Sequence, residues 1–382
     1  MHYRVFPITA PPKHHFFGYY DMRPWDATGR YHLVLEVYFM DRPPTPADEA
    51  TVCAVDLADG NRLLPLGRTR AWNFQQGAML HWDPRRPATA LFNDRRDGAF
   101  VCVAHDRRTG RQDVRGPAIA ALSDDGRHAA TLNFARIAVT RPGYGYEGLD
   151  DPFAAEAAPA GDGLGVLNLA TGEHRLIVSM ASVAPHQPAV LGYGREKVWF
   201  NHVLFNPSGT RLAFLVRWAD AAAPSDRRTQ MWTVAPDGTD LARCLDGPLV
   251  SHYDWRDDET LLAWTAVNGE RAMYACDHRA RRPPVPRFRR AIRQDSHVSY
   301  SHDRRRLAND TYPDADGMRE LYLVEADTER RVSLGRYSSP RIRGRGEIRC
   351  DFHPSWRADD RALAFDGMHE GTRQRYLVEL WA

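Results

Sequence analysis

The sequence predicts an all-β chain folded as a seven-bladed β-propeller. Three observations carry this. One unit recurs seven times along the 382 residues: an apolar strand, a tight polar turn, a second apolar strand, a polar loop and a third strand ending near an Asp- or Thr-Gly turn. The turns are rich in Asp, Asn, Pro and Gly, the residues that two-residue hairpins and Asx turns require. Helical periodicity is nearly absent; the Ala-rich stretch 154–160 is short and contains Pro159.

The copies run in order. Blade one reads DMRPWDATGRYHLVLEV (21–37) and then TVCAVDLADGNRLLPLG (51–67). Blade two is HWDPRRPATALFND (81–94) and FVCVAHDRRTGRQDV (100–114). Blade three is ALSDDGRHAATLNF (121–134) and LGVLNLATGEHRLIV (164–178). Blade four is the clearest, FNPSGTRLAFLVRW (205–218) and QMWTVAPDGTDLARCL (230–245). Blades five, six and seven begin YDWRDDETLLAWTA (253–266), YSHDRRRLANDTY (300–312) and PSWRADDRALAFDG (354–367). First turns near Asp26, Asp83, Ser123, Asn206, Arg256, His302 and Arg357 are 40 to 83 residues apart, against roughly 40–50 for a plain four-stranded blade. Insertions at 39–50 and 138–163 account for the longest gaps, and the proline-rich basic segment 279–295 is a connection holding the outer strand of blade five. The chain ends in RYLVELWA without completing blade seven, so YRVFPIT at the N-terminus is expected to supply its outer strand and hide both edges. The whole of 1–382 is read as one propeller domain.

Composition excludes several classes. Apolar residues are 43% and charged residues 26%, ordinary for a globular chain, and 51 basic against 49 acidic residues leave a net charge of +2. That balance argues against a nucleic-acid partner. No apolar run is long enough to span a bilayer, and no secretory signal is recognisable, which makes a cytoplasmic location the expectation. Five scattered cysteines without a CxxC pair make a disulfide framework a poor fit. P-loop, dinucleotide, nucleophile-elbow and HExxH patterns are missing.

The chemistry lies in the histidines. His202, His252, His297 and His353 each stand just ahead of the first turn of blades four to seven, where innermost strands start beside the central channel. Strands that start side by side bring distant residues to one mouth. Asp351 is two residues from His353, hence on the same side of a strand. Neutral imidazoles with a carboxylate are ligands for Zn²⁺ or Mn²⁺, so His252, His297, Asp351 and His353 are the candidate metal set. Cys350 points the opposite way on a regular strand and ranks lower. Tyr20 and His81 occupy comparable positions in blades one and two and join the candidate catalytic residues. Arg217, Arg228 and Arg136 offer forked donors for a carboxylate. His15, Gln76 (beside Gln75) and Tyr146 complete the candidate binding residues, as hydroxyl or sugar-ring contacts.

The run WFNHVLFNPSGTRLAF, followed by SHYDW, SHVSYSHD and DFHPSW, resembles the oligogalacturonate lyases, and is similar to other propeller polysaccharide lyases such as ulvan lyases. The resemblance covers about 195–380. It implies β-elimination on a uronic-acid-containing poly- or oligosaccharide, with a divalent metal. It implies that His202 is the Brønsted base, here in Asn-His-Val where the family has Gly-His-Pro, and that His252 is a metal ligand. The family's two C-terminal metal histidines fall on Asp351 and His353, so one is replaced by a carboxylate; its glutamine ligand has no counterpart near Ile348. Its arginine beside the base matches Arg217 or Arg228. A non-enzymatic propeller, TolB-like or glycan-binding, is the alternative reading, and a hydrolase using the same pocket is a third.

Overall fold

Alternating apolar residues in runs of six to ten, broken by Asx turns, give strands that bury both faces between neighbouring sheets. The computed structural model describes residues 2–186, 196–220, 227–247, 249–339 and 346–381. Among these, seven four-stranded antiparallel sheets form a ring, a seven-bladed β-propeller. Blade one comprises His14–Phe16, Tyr31–Val37, Ala50–Asp56 and Arg62–Thr69. Blade two runs from His81–Trp82 to Gln112–Pro117, and blade three from Ile119–Leu122 to His174–Ser179. Blade four runs from Glu196–Phe205 to Ala242–Gly247, blade five from Val250–Trp255 to Val285–Arg287, and blade six from Ser299–Tyr300 to Arg331–Ser338. Blade seven is Ser355–Trp356, Ala362–Gly367 and Gln374–Trp381, with His2–Pro7 as its outer strand. His2 pairs with Trp381 and Pro7 with Tyr376, so the first strand of the chain is hydrogen-bonded to the last.

The first turns begin where the repeat places them. Gly29 N–H bonds Asp26 O, Arg86 bonds Asp83, Gly126 bonds Ser123 and Gly209 bonds Asn206, all at 2.9–3.1 Å. In blade six the turn starts at Ser301, one residue ahead of His302. Inner-strand tryptophans tie adjacent blades together. Trp82 Nε1 donates to Pro24 O at 3.0 Å, and Trp356 Nε1 to Ser299 O at 3.1 Å. The core is the stacked apolar faces of neighbouring blades, and the five cysteines are buried in it unpaired. No helix among the described residues is long and apolar enough to cross a membrane.

Two departures from the repeat shape the site. The inner strand of blade one stops at Phe16, and Gly18 to Met22 leave the ladder. Gly18 has φ +152°, and a Cβ there would stand 2.8 Å from Gln76 O, so only glycine fits. Blade three carries a short helix, Phe134–Thr140, capped by the Asn133 side chain, which the interrupted apolar pattern did not announce. This insertion and the one at 38–49 both join second to third strands. Such connections lie on the side of the ring where inner strands begin.

Candidate active site at the strand-start mouth

The four histidines meet. Tyr19 packs against all of their rings, with centroids 5.1 Å from His202, 6.4 Å from His252, 5.9 Å from His297 and 4.7 Å from His353. Local backbone aims them. His202 sits in a bulge where the ladder slips between Asn201 and Leu204, with φ +50°. His252 sits in a matching slip between Val250 and Tyr253. His297 and His353 precede the two-residue inner strands of blades six and seven, His353 with φ +43°. Bulges and positive φ at non-glycine residues concentrate where a side chain must be re-aimed for function.

His297 and His353 share one arrangement. His297 Nδ1 faces Asp310 at 2.9 Å, and His353 Nδ1 faces Gly18 O at 2.6 Å. In both, Nε2 is buried without a hydrogen-bond partner. These two residues and Asp351 present ligand atoms all within 4.8 Å of one another. An imidazole whose other nitrogen is held by a carboxylate or carbonyl is the usual form of a metal-ligating histidine. The donor set therefore fits a divalent cation. Asp351 is also held by Arg319 and, 2.7 Å from Oδ2, by Arg349. Burial alone would raise its pKa, but these two guanidinium groups hold it well below the ordinary carboxylate range. A cation here would share Oδ2 with Arg349. Burial pushes His353 well below the usual imidazole value and His252 less far, so both rest neutral and ligand-competent.

His252 lies beside this trio, its ring centroid 4.4 Å from that of His297. Its Nδ1 is 2.9 Å from Asp295 Oδ1, and Ser251 Oγ donates to the other oxygen at 2.7 Å. His202 stands on the other side of Tyr19, with Nε2 3.2 Å from Asp21 Oδ2 and 3.3 Å from the Tyr20 hydroxyl.

The mouth is rich in arginine. Arg217 is buried, its Nε has no partner, and no carboxylate among the described residues pairs with it. Burial, together with the charges of Arg227 and Arg141, pushes its pKa down to about 9. Among the described residues it is a buried cation with no carboxylate paired to it. Tyr144, from the blade-three insertion, reaches the same place. Arg349 Nη2 donates to its hydroxyl at 3.3 Å, and Arg141 lies 4.7 Å over its ring. Burial would raise its pKa, yet Arg349 and Arg141 prevail and lower it. Tyr19, Tyr20 and Tyr253 are moved the other way by burial.

Arg136, Tyr146 and His15 have other employment. Arg136 is wholly buried in blade three and spends every donor on protein: Nε on Val198 O, Nη1 on Asp151 and Phe153 O, Nη2 on Glu156 O and Ala157 O. It staples the insertion and has nothing left for a ligand. Tyr146 stacks on Phe134 at 4.3 Å and takes an Asn93 amide proton at 3.0 Å; the residue that enters the mouth is Tyr144. His15 is fixed between Glu36 of blade one and Gln374 of blade seven. Of the adjacent amides it is Gln75 that reaches across, donating to Glu347 O and Arg349 O at 3.2 Å; Gln76 contributes the carbonyl packed on Gly18. Arg228 lies on a blade-four strand opposite Trp218. Tyr20 donates its proton to a backbone carbonyl, Tyr253 O. His81 lines a cavity of about 300 Å³ together with residues of the first turns and with Tyr20 and Asp21. Sequence reasoning missed Asp21, Tyr144, Asp295, Asp310, Arg319 and Arg349. Only Arg349, two residues before Asp351, carried a signal, through strand alternation.

The architecture was compared with known proteins. No family model and no curated protein matches the chain. Among solved structures, an oligogalacturonate lyase in complex with manganese superimposes over 99% of this chain and 93% of its own, with TM-score 0.68 at 17% identity. The fold is that of the oligogalacturonate lyases. A second such lyase, from Vibrio parahaemolyticus, gives TM-score 0.66 at 13% identity over 99% and 96% of the two chains. The β-propeller domain of the Trilobed protease from Pyrococcus furiosus is more distant, with TM-score 0.51 at 10% identity.

Proposed function

We propose that this protein is a carbon–oxygen lyase that cleaves uronic-acid-containing oligo- or polysaccharides by β-elimination. One observation carries the reading. A histidine on a strained bulge, a buried arginine that no described carboxylate pairs with, and the clustered ligand side chains of His297, Asp351 and His353 meet at one mouth of the channel. The likeness in fold to a manganese-containing oligogalacturonate lyase supports it.

In this reading His297, Asp351 and His353 hold a divalent cation, Zn²⁺ or Mn²⁺, with His252 adjoining. Such an ion, when bound, places positive charge against the uronate carboxylate and so acidifies the C5 proton. Arg217 binds that carboxylate, and its own burial makes the new ion pair strong. His202 removes the C5 proton as general base. The C4–O bond then breaks, and its electron pair leaves on the departing sugar oxygen. In this reading Tyr144, acidified by Arg349 and Arg141, protonates that oxygen. The product is a 4,5-unsaturated uronide.

The test is incubation with oligogalacturonate and other uronic-acid glycans, following the ultraviolet absorbance of the unsaturated product. His202→Ala should lower the rate by roughly 10²–10⁴-fold while the melting temperature stays put. Full activity in that variant would remove the mechanism, and new reducing ends without absorbance would identify a hydrolase.

A further inference from the structure

The carboxylate beside His202 has no part in the chemistry above. Asp21 Oδ2 lies 3.2 Å from His202 Nε2. Asp21 is nearly buried, its Oδ1 has no protein partner, and no arginine or lysine among the described residues pairs with it. The imidazole within ion-pair distance of it is that of His202.

The protons around that imidazole can be counted. Tyr20 has a single hydroxyl proton, and Tyr253 O, 3.1 Å away, can only accept. The proton goes there. Tyr253 N–H donates back to the same hydroxyl oxygen at 3.0 Å. Toward His202 Nε2, at 3.3 Å, Tyr20 therefore has only a lone pair to offer. Asp21 also has only lone pairs. A nitrogen flanked by two acceptors carries the proton, which leaves the lone pair on Nδ1. The Tyr253 hydroxyl donates to His202 O and to Ala213 O, which fixes the backbone from which the ring projects. His297 and His353 are arranged the opposite way, with Nδ1 toward an acceptor and Nε2 open.

We infer that Asp21 is the positioning residue of His202: it fixes the Nε2–H tautomer, so that Nδ1 is the nitrogen that takes the substrate proton. The word substrate rests on the lyase reading, whereas the tautomer does not. When Nδ1 gains the C5 proton the ring becomes a cation, and Asp21 Oδ2 stands 3.2 Å from its Nε2 to balance the charge. A neutral amide in its place can present either an acceptor or a donor to Nε2, and the tautomer is no longer enforced.

Two measurements test this. The first is nitrogen-15 NMR of the wild-type protein labelled at histidine, with the His202 signals assigned by their loss in His202→Gln. We expect the proton on Nε2 and an unprotonated Nδ1 at neutral pH; a proton on Nδ1 overturns the inference. The second is Asp21→Asn. We expect kcat to fall roughly 100-fold with KM changed less than about twofold, and part of the loss recovered in Asp21→Glu. An unchanged kcat in Asp21→Asn overturns it. If no uronic-acid glycan is cleaved by the wild type, the function proposed above fails, and the NMR result still decides the tautomer.

Discussion

Two kinds of imidazole share one mouth, and the acceptor behind each ring separates them. His297 has Asp310 behind Nδ1, and His353 has Gly18 O, which leaves Nε2 for a ligand. His202 has its acceptors on Nε2. The acceptors come from unexpected places. Asp295 is two residues from His297 in the sequence, yet it serves His252 of the preceding blade, while His297 takes Asp310 from the next strand of its own blade. Asp310→Asn should weaken metal binding about 10–100-fold without emptying the site, because the ring stays and only its orientation and basicity suffer. Zinc or manganese titration of the purified variant, beside His353→Ala, measures this. An affinity equal to wild type would show that the trio binds no metal through His297.

At the scale of elements, the blade-three insertion is the clearest case of structure overruling a sequence reading. GYGYEG holds two tyrosines that composition cannot tell apart. Tyr146 turns into the packing between the helix and blade two, and Tyr144 into the mouth. Arg136 organises this element through an ion pair with Asp151 at 2.9 Å and four carbonyls, and Asn133 completes the cluster by donating to Asp151 and Asp162. Arg136→Met leaves Asp151 buried without its cation. We expect a loss of about 3–5 kcal/mol in urea unfolding, typical of a broken buried pair. A loss below about 1 kcal/mol would mean that water replaces the guanidinium and that Arg136 is not the staple. The same variant should keep metal binding, since the trio lies in blades six and seven.

Across the whole molecule, closure of blade seven by His2–Pro7 joins the two ends of the chain, and burial within the ring sets a pH response. Burial pushes His81 down to about 4 and His32 well below the usual imidazole value, the latter with help from Arg375. Histidine in the unfolded chain titrates near 6.5. Between these values the unfolded state binds more protons than the folded one. Stability is therefore complete above about pH 6.5 and falls as pH drops, with His81 alone costing about 2 kcal/mol by pH 5. Depressed carboxylates such as Asp351 act in the same direction at lower pH. Urea midpoints at pH 7 and pH 5 check this, and His81→Gln should flatten part of the slope. A slope unaltered in His81→Gln would place the proton uptake elsewhere.

By itself the sequence determined the number of blades, the turn positions and the register at which four histidines stand, because all three follow from local rules. Asx turns mark hairpins, strands alternate, and repeated units start at equivalent places. It also marked Asp351 and His353 as neighbours, although the strand expected to align them starts only at Ser355. Only the tertiary structure decided which nitrogen of each ring is free, which of two tyrosines enters the mouth, and that Arg136 is a staple while Arg217 pairs with no carboxylate among the described residues. These are set by groups from other blades: Asp21 beside His202, Asp295 beside His252, Gly18 O beside His353. A propeller brings such pairs together across as many as 335 residues of chain, as for His353 and Gly18, and no local pattern records which will meet.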